Sequence, residues 1–232
     1  VNFNFSQNYT LFAGLHRGFA PPRVKDAISN SGNSLQLEAE HSWNSEIGIR
    51  ANPFYNVWFE LTGYILDFSN QIIPISESSG GSGTGLVNGG RTLHKGIEIG
   101  LNFDLGKVLN SDYEILLNWN ASINESKYNA DRFINLSNSP VNIKGNELPY
   151  APKYLSSFSV NVQTPYTFEF YFSGTYVGKQ FTDELNTVIP SADGQSGLMS
   201  SYIVLDFNAK YHLESLNSSI FISVKNLTDE RY

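Results

Sequence analysis

The sequence predicts an all-β fold, an antiparallel transmembrane β-barrel. Three observations predict it: nine stretches alternate apolar and polar residues at period two, the gaps between them run short and long in turn, and no run approaches the ~18 consecutive apolar residues of a spanning helix. Successive side chains of a strand point to opposite faces, so this alternation gives each strand one face for hydrocarbon and one for water. A barrel with a wet lumen needs that division.

The candidate strands fall near residues 8–18, 41–52, 55–68, 91–105, 112–127, 153–163, 167–180, 198–212 and 218–226. The stretch from Met199 to Tyr211 is the clearest. Met199, Ile203, Leu205, Phe207, Ala209 and Tyr211 share one face, and Ser200, Asp206, Asn208 and Lys210 share the other. From Tyr113 to Ser126, the residues Tyr113, Ile115, Leu117, Trp119, Ala121 and Ile123 oppose Asn118, Asn120, Ser122 and Asn124. Phe168, Phe170, Phe172 and Tyr176 form an aromatic row, and Tyr154, Phe158, Val160 and Val162 share a face beside them, as a lipid-facing wall with interfacial girdles would. Short gaps fall at Asn52-Pro53-Phe54, Gly106–Ser111, Thr164-Pro165-Tyr166 and Leu213–Asn217. Long ones fall at Gly18–Glu40, Ser69–Gly90, Tyr128–Pro152 and Phe181–Gly197. Bacterial outer-membrane barrels place short turns in the periplasm and long loops outside the cell. Such single-chain barrels are even-stranded, so nine strands predict the carboxy-terminal part of a larger barrel, without its final strand.

Composition removes several function classes. With no cysteine, disulfide frameworks, thiolate metal sites and cysteine nucleophiles are excluded. A net charge of −7 provides no basic stripe, so no nucleic-acid partner is expected. His16, His41, His94 and His212 are scattered without a His-x-x-x-His pair, which argues against a dedicated metal site. The glycines between Gly80 and Gly90 are not followed by Gly-Lys-Ser/Thr and read as a surface loop rather than a phosphate cradle. No Gly-x-Ser-x-Gly elbow appears, so an enzyme is not expected.

Four blocks, in order, carry a resemblance. Leu11-Phe12-Ala13-Gly14-Leu15-His16-Arg17-Gly18-Phe19-Ala20-Pro21-Pro22 resembles a strand and loop start found late in TonB-dependent outer-membrane receptors. Leu37-Glu38-Ala39-Glu40 with Trp43-Asn44-Ser45-Glu46-Ile47-Gly48 is similar to the family's next block, departing from it at Ala39, where proline is usual. Asn88-Gly89-Gly90-Arg91 through Gly96-Ile97-Glu98 and Val224-Lys225-Asn226-Leu227-Thr228-Asp229-Glu230-Arg231-Tyr232 complete the series. The resemblance implies that residues 1–232 are a partial receptor barrel domain, strands 13 to 21 of about 22 around a plugged lumen. The plug, the early strands and the final strand would lie outside this chain.

The resemblance further implies a multi-pass protein of the bacterial outer membrane that takes up a ferric chelate, a siderophore or ferric citrate, with energy coupled through the TonB complex and the plug. The first block is most similar to the ferric dicitrate branch. Its partners would be the chelate, the TonB complex, and outer-membrane lipid and lipopolysaccharide. No cofactor is expected, because Fe(III) arrives with the ligand. The alternatives are a receptor for cobalamin or an oligosaccharide, a passive porin, and a soluble β-sandwich binding module. An anionic chelate needs cationic and hydrogen-bonding groups at the outer mouth, and the strand ends and loops there bring forward Arg23, Gln71, Arg91 and His94. By alternation His94 falls on the lumen face and Arg91 on the other unless a bulge turns it. Glu46, Arg50 and Glu98 are the expected lumen charges facing the plug, since a carboxylate in a poorly hydrated space needs a partner.

Overall fold

The computed structural model describes residues 1–22, 37–74, 86–88, 90–136, 139–192 and 194–231. The chain opens with β1 (Asn2–Ser6), β2 (Tyr9–Ala20), β3 (Glu40–Phe54) and β4 (Val57–Ser69), each antiparallel to the one before. Two short strands, β5 (Ile72–Pro74) and β6 (Leu86–Asn88), pair within the next connection. Then come β7 (Thr92–Asp104), the one-turn helix α1 (Leu105–Leu109) and β8 (Glu114–Tyr128). β9 (Phe133–Leu136) and β10 (Ser139–Asn142) form a second side hairpin before β11 (Tyr154–Gln163) and β12 (Phe168–Val177). A third, β13 (Gln180–Phe181) with β14 (Leu198–Met199), precedes β15 (Tyr202–Leu213) and β16 (Ser218–Val224). The main sheet runs β1-β2-β3-β4-β7-β8-β11-β12-β15-β16 and is antiparallel throughout.

Among the described residues the main sheet has ten strands in place of the nine expected. Asn2–Ser6 alternates as its neighbours do, but five residues are too few for periodicity to stand out. The odd-count argument for a missing final strand is therefore withdrawn. Met199 is also corrected: it pairs with Gln180 in the third side hairpin and is not on the apolar face of β15. The turn expected at Asn52-Pro53-Phe54 falls two residues later, at Tyr55–Asn56, because β3 continues to Phe54 through a register irregularity after Ala51.

The short connections close by local chemistry. Asp104 Oδ1 accepts from Lys107 N at 3.1 Å and caps α1, and Asn110 follows at φ 48°. Asn217 takes φ 45° before β16, a left-handed conformation that asparagine tolerates well. Thr167 reaches φ 68° in the β11–β12 turn, where Thr164 Oγ1 accepts from the amides of Tyr166 and Phe168 at 3.3 and 3.2 Å.

Cross-strand register fixes the two faces. Trp119 pairs with Phe158, Phe158 with Gly174 and Gly174 with Leu205, while Leu117, Val160, Phe172 and Phe207 form the adjoining row. Rings meet along this apolar face, Phe168 stacked on Tyr211 at 4.5 Å and Phe158 tilted against Phe172 at 5.7 Å between centroids. On this face Ile47, Ile65, Ile97 and Ile123 show between 50 and 66 % of their surface. A soluble domain would bury such a face. The buried core sits instead in the long connections, where Tyr128, Ile134 and Ile143 pack with Leu148 and Leu185.

Candidate functional site

The polar face carries two clusters, one in mid-sheet and one at the end bearing the long connections. In mid-sheet, Arg50 on β3 lies opposite Glu60 on β4, and its Nε donates to Glu60 Oε2 at 2.5 Å. The guanidinium also stands over the Phe12 ring at 4.3 Å, a position that attracts a cation to the negative face of the ring. Glu46 lies 4.0 Å from His16 Nε2, and Glu98 sits between Thr62 and Ser122 on the neighbouring strands. An open cavity of about 440 Å³ lies between them, lined by His16, Asn44, Glu46, Tyr64, Leu66 and Glu98. The Asn44 Oδ1 on its wall is buried without a hydrogen-bond partner among the described residues. Register thus brings Glu46, Arg50 and Glu98 to one face, as alternation requires.

The second cluster is a chain of hydrogen bonds. Thr92 is buried at 2 % exposure, and its hydroxyl donates to Gln71 Oε1 at 3.2 Å. With that proton committed, Thr92 Oγ1 accepts from His94 Nε2–H at 3.2 Å, and His94 Nδ1 lies 2.9 Å from the Ser126 hydroxyl. The Phe68 ring meets the imidazole edge-on, with centroids 5.5 Å apart. The relay ends on the Gln71 amide, whose NH2 is a donor suited to a carboxylate or another anionic oxygen.

The four mouth candidates therefore divide. His94 and Gln71 are brought together through Thr92. Arg91 is not: its Nε donates to Asp67 Oδ1 at 2.8 Å and its Nη2 to Asp67 Oδ2, a two-pronged clamp on the apolar-face side of the sheet. Arg23 lies outside the described residues, as do Gly80 to Gly85 and Gly89. Sequence reasoning passed over Thr92, Ser126, Glu60 and Phe12. The i, i+2 spacing of Thr92 and His94 would have found the first. The others are cross-strand neighbours, visible only once register is known.

Beyond the second cluster the long connections pack on one another. Asn186 Nδ2 donates to the Glu147 carbonyl at 2.8 Å while the Glu147 amide donates to Asn186 Oδ1 at 2.7 Å, and Asn146 Nδ2 reaches the Glu184 carbonyl at 2.8 Å. Asp183 Oδ1 accepts from the amides of Leu185 and Thr187 and from the Thr187 hydroxyl. These bonds, with the Ile143 core, tie the described parts of the two long connections together. No group of three or more His, Cys, Asp or Glu side chains that could hold a metal ion occurs among the described residues.

Comparison with known proteins bears on what this sheet belongs to. The family model described as TonB dependent receptor-like, beta-barrel matches residues 1–227. Among solved structures, the ferric citrate transporter FecA in its unliganded form matches with a TM-score of 0.74 at 20% identity, over 100% of this chain and 33% of that one. The ferric enterobactin receptor PfeA from Pseudomonas aeruginosa matches with a TM-score of 0.71 at 21% identity, over 99% of this chain and 34% of that one. The siderophore receptor PiuA from Acinetobacter baumannii gives a TM-score of 0.70 at 17% identity, over 100% and 31%. The chain spans about a third of the length of these structures.

Proposed function

This chain belongs to the TonB-dependent receptor-like β-barrel family, and from that premise we propose that it walls part of an outer-membrane receptor that takes up a ferric chelate, a siderophore or ferric citrate, with energy coupled through TonB. The observation that carries the proposal is the family match over residues 1–227, on a sheet whose one face is apolar and exposed across all its central strands. The family is one of receptors and transporters rather than enzymes. In this reading the apolar face meets outer-membrane lipid, the polar face meets the lumen, and the rest of a barrel of about 22 strands and its plug lie outside this chain.

Two sites follow. Glu46, Arg50 and Glu98 face the plug. The orphaned Asn44 Oδ1 supports this, since a buried acceptor left unpaired costs roughly 1–3 kcal/mol and calls for a donor from elsewhere. At the mouth, His94 and Gln71 contact the chelate, held by Thr92 and Ser126. Arg91 joins them only on release from Asp67, and Arg23 remains a candidate loop cation. The test is iron-limited growth and uptake of labelled ferric citrate and siderophores by cells carrying the full-length receptor, with and without TonB. Uptake that requires both supports the proposal; uptake unchanged without TonB overturns the coupling and favours a porin.

A further inference from the structure

The polar face changes character across the sheet. On β3, β4 and β7 it carries Glu46, Arg50, Glu60 and Glu98, three carboxylates and one guanidinium. Arg50 is committed to Glu60, Glu46 has His16 at 4.0 Å, and Glu98 has no cation within ion-pair reach among the described residues. On β8, β11 and β12 the same face is neutral. Asn120, Ser157 and Thr175 form one cross-strand row, and Asn118, Ser159 and Ser173 form the next. Within these three strands the face carries no charge except Glu114 and Glu169 beside the short turns.

Most of these polar groups are unengaged. Asn118 Nδ2 donates to Ser159 Oγ at 3.2 Å, but the side chains of Asn120, Ser157, Ser173 and Thr175 make no hydrogen bond with any described residue. Each hydroxyl and amide is thus able to donate to, or accept from, a group passing along the wall. Successive rows are about 7 Å apart, two residues along a strand. The wall is also hollow here. A cavity of about 430 Å³ opens over Gly100, Asn120, Ser122, Ser157 and Thr175, at the small end of the range that ligand sites occupy. Gly100 makes room for it, since a Cβ there would come within 3.1 Å of the Trp58 ring. A second hollow of about 340 Å³ follows toward the short turns, over Asn102 and Asn118, and Trp58 lines both. Glu60 and Glu98 stand on the β4–β7 side of the first hollow, where Arg50 already holds Glu60; in the second, Asp104 is held by Lys107 Nζ at 2.7 Å.

We propose that the neutral strip on β8, β11 and β12 is the wall along which an anionic chelate travels from the mouth to the periplasm, its two hollows serving as successive weak sites. The proposal rests on the ferric-chelate reading above and names the route within it. Charge selects the strip. The carboxylate-rich wall of β3, β4 and β7 repels an anion, and a wall of free cations would retain one. Rows of uncharged donors offer several weak contacts in turn, and transit needs binding that is favourable enough to enter yet weak enough to leave.

The test uses cells carrying the full-length receptor, with ferric citrate and a ferric tricatecholate, both anionic and loaded with labelled iron. Equilibrium binding to the cells and the initial rate of uptake are measured separately. Asn120→Asp adds a charge with almost no change of shape and breaks no side-chain hydrogen bond, so it is expected to slow uptake about tenfold through repulsion in a poorly hydrated lumen while binding at the mouth stays within about twofold. Ser157→Phe, which fills the first hollow, should do the same by bulk, and the neutral Asn120→Ser should import at the parent's rate. Asn4→Asp is the control. It places the same charge on the same face beyond Arg50, and its carboxylate keeps the hydrogen bond that Asn4 Oδ1 accepts from Thr10 Oγ1 at 2.7 Å. Uptake at the parent's rate in Asn120→Asp, a loss equal to that of Asn4→Asp, or a loss matched by weaker binding overturns this inference alone. A parent receptor that imports neither chelate overturns the functional reading as well.

Discussion

The two faces of this sheet are built by one alternation, yet they treat charge in opposite ways. On the polar face ion pairs stand at many heights: Arg50 with Glu60 in mid-sheet, His16 with Glu46 nearer the long connections, and Glu169 with Lys210 and His212 beside the short turns. On the apolar face the charged side chains gather near the long connections, as Arg91 with Asp67 and as Lys95 and Lys127 with Glu125. Between that row and Tyr113 this face of β8 carries only Ile123, Ala121, Trp119, Leu117 and Ile115. A polar face tolerates a pair wherever water or another protein surface can reach it. An apolar face tolerates charge only where the hydrocarbon ends.

The sharpest way to break the comparison is to put a charge where each face differs most. Leu205 lies in the row of Trp119, Phe158 and Gly174, midway between Glu125 and Tyr113 on β8, and Leu117 lies one row away. Leu205→Arg or Leu117→Arg should cost roughly 2–4 kcal/mol near the bilayer midplane, whereas Asn208→Arg and Asn120→Arg on the polar face should cost far less. Denaturant titration of full-length receptor in lipid vesicles measures both sets. Equal losses would mean that the apolar face is not solvated by lipid.

Two glycines on the apolar face give the next effect. A Cβ on Gly174 would run into the Phe158 ring and come within 2.8 Å of Leu205 Cδ2, while one on Gly63 has open space. Gly174→Ala should therefore destabilise by about 1–3 kcal/mol through overpacking, and Gly63→Ala should leave stability within roughly 0.5 kcal/mol of the parent. The same vesicle titration decides; similar losses at both would deny that the row is packed around Gly174 and empty around Gly63.

These contrasts also mark what the sequence made legible. Alternation placed Glu46, Arg50, Glu98, Asn120 and Asn208 on one face and Leu117, Leu205 and Phe172 on the other, because side-chain direction along a strand depends on parity alone. Parity does not say which residue lies opposite which. So Glu60 beside Arg50 and Ser126 beside His94 stayed hidden until register joined their strands. Arg91 was correctly seen to fall on the apolar side, but its clamp on Asp67, which withdraws it from the mouth, depends on the β4–β7 pairing. The long connections were read as loops throughout. Their side hairpins are two to four residues per strand, too short for any period to appear.

Within the polar face, Arg50→Gln should cost only about 0.2–1 kcal/mol, since the Arg50 side chain is 49 % exposed and solvent screens its pairing with Glu60. A double-mutant cycle with Glu60→Gln measures that coupling. A value of several kcal/mol would show a dry lumen wall rather than a hydrated one.

The smallest effect belongs to a charge on neither face. Asp131, in the long connection after β8, accepts from Asn142 Nδ2 at 3.1 Å and lies 3.3 Å from Lys144 Nζ. The Asn142 hydrogen bond first, and the Lys144 ammonium second, hold its carboxyl below the ordinary value of 3.8. A carboxyl whose folded pKa is depressed contributes stability that is fully present above its unfolded pKa and is lost as pH falls through the folded one. The β9–β10 hairpin should thus be indifferent to pH from 7 down to about 4 and loosen below. The amides of Arg132 and Lys144 both donate to Asn142 Oδ1, at 3.2 and 3.1 Å, so their hydrogen-exchange protection reports the loss directly. Asp131→Asn should flatten that dependence while leaving protection in the main sheet unchanged. Protection that already falls between pH 7 and 5, or a variant with the parent's profile, would place the titrating group elsewhere and end the use of Asp131 as the water-exposed reference for the two faces.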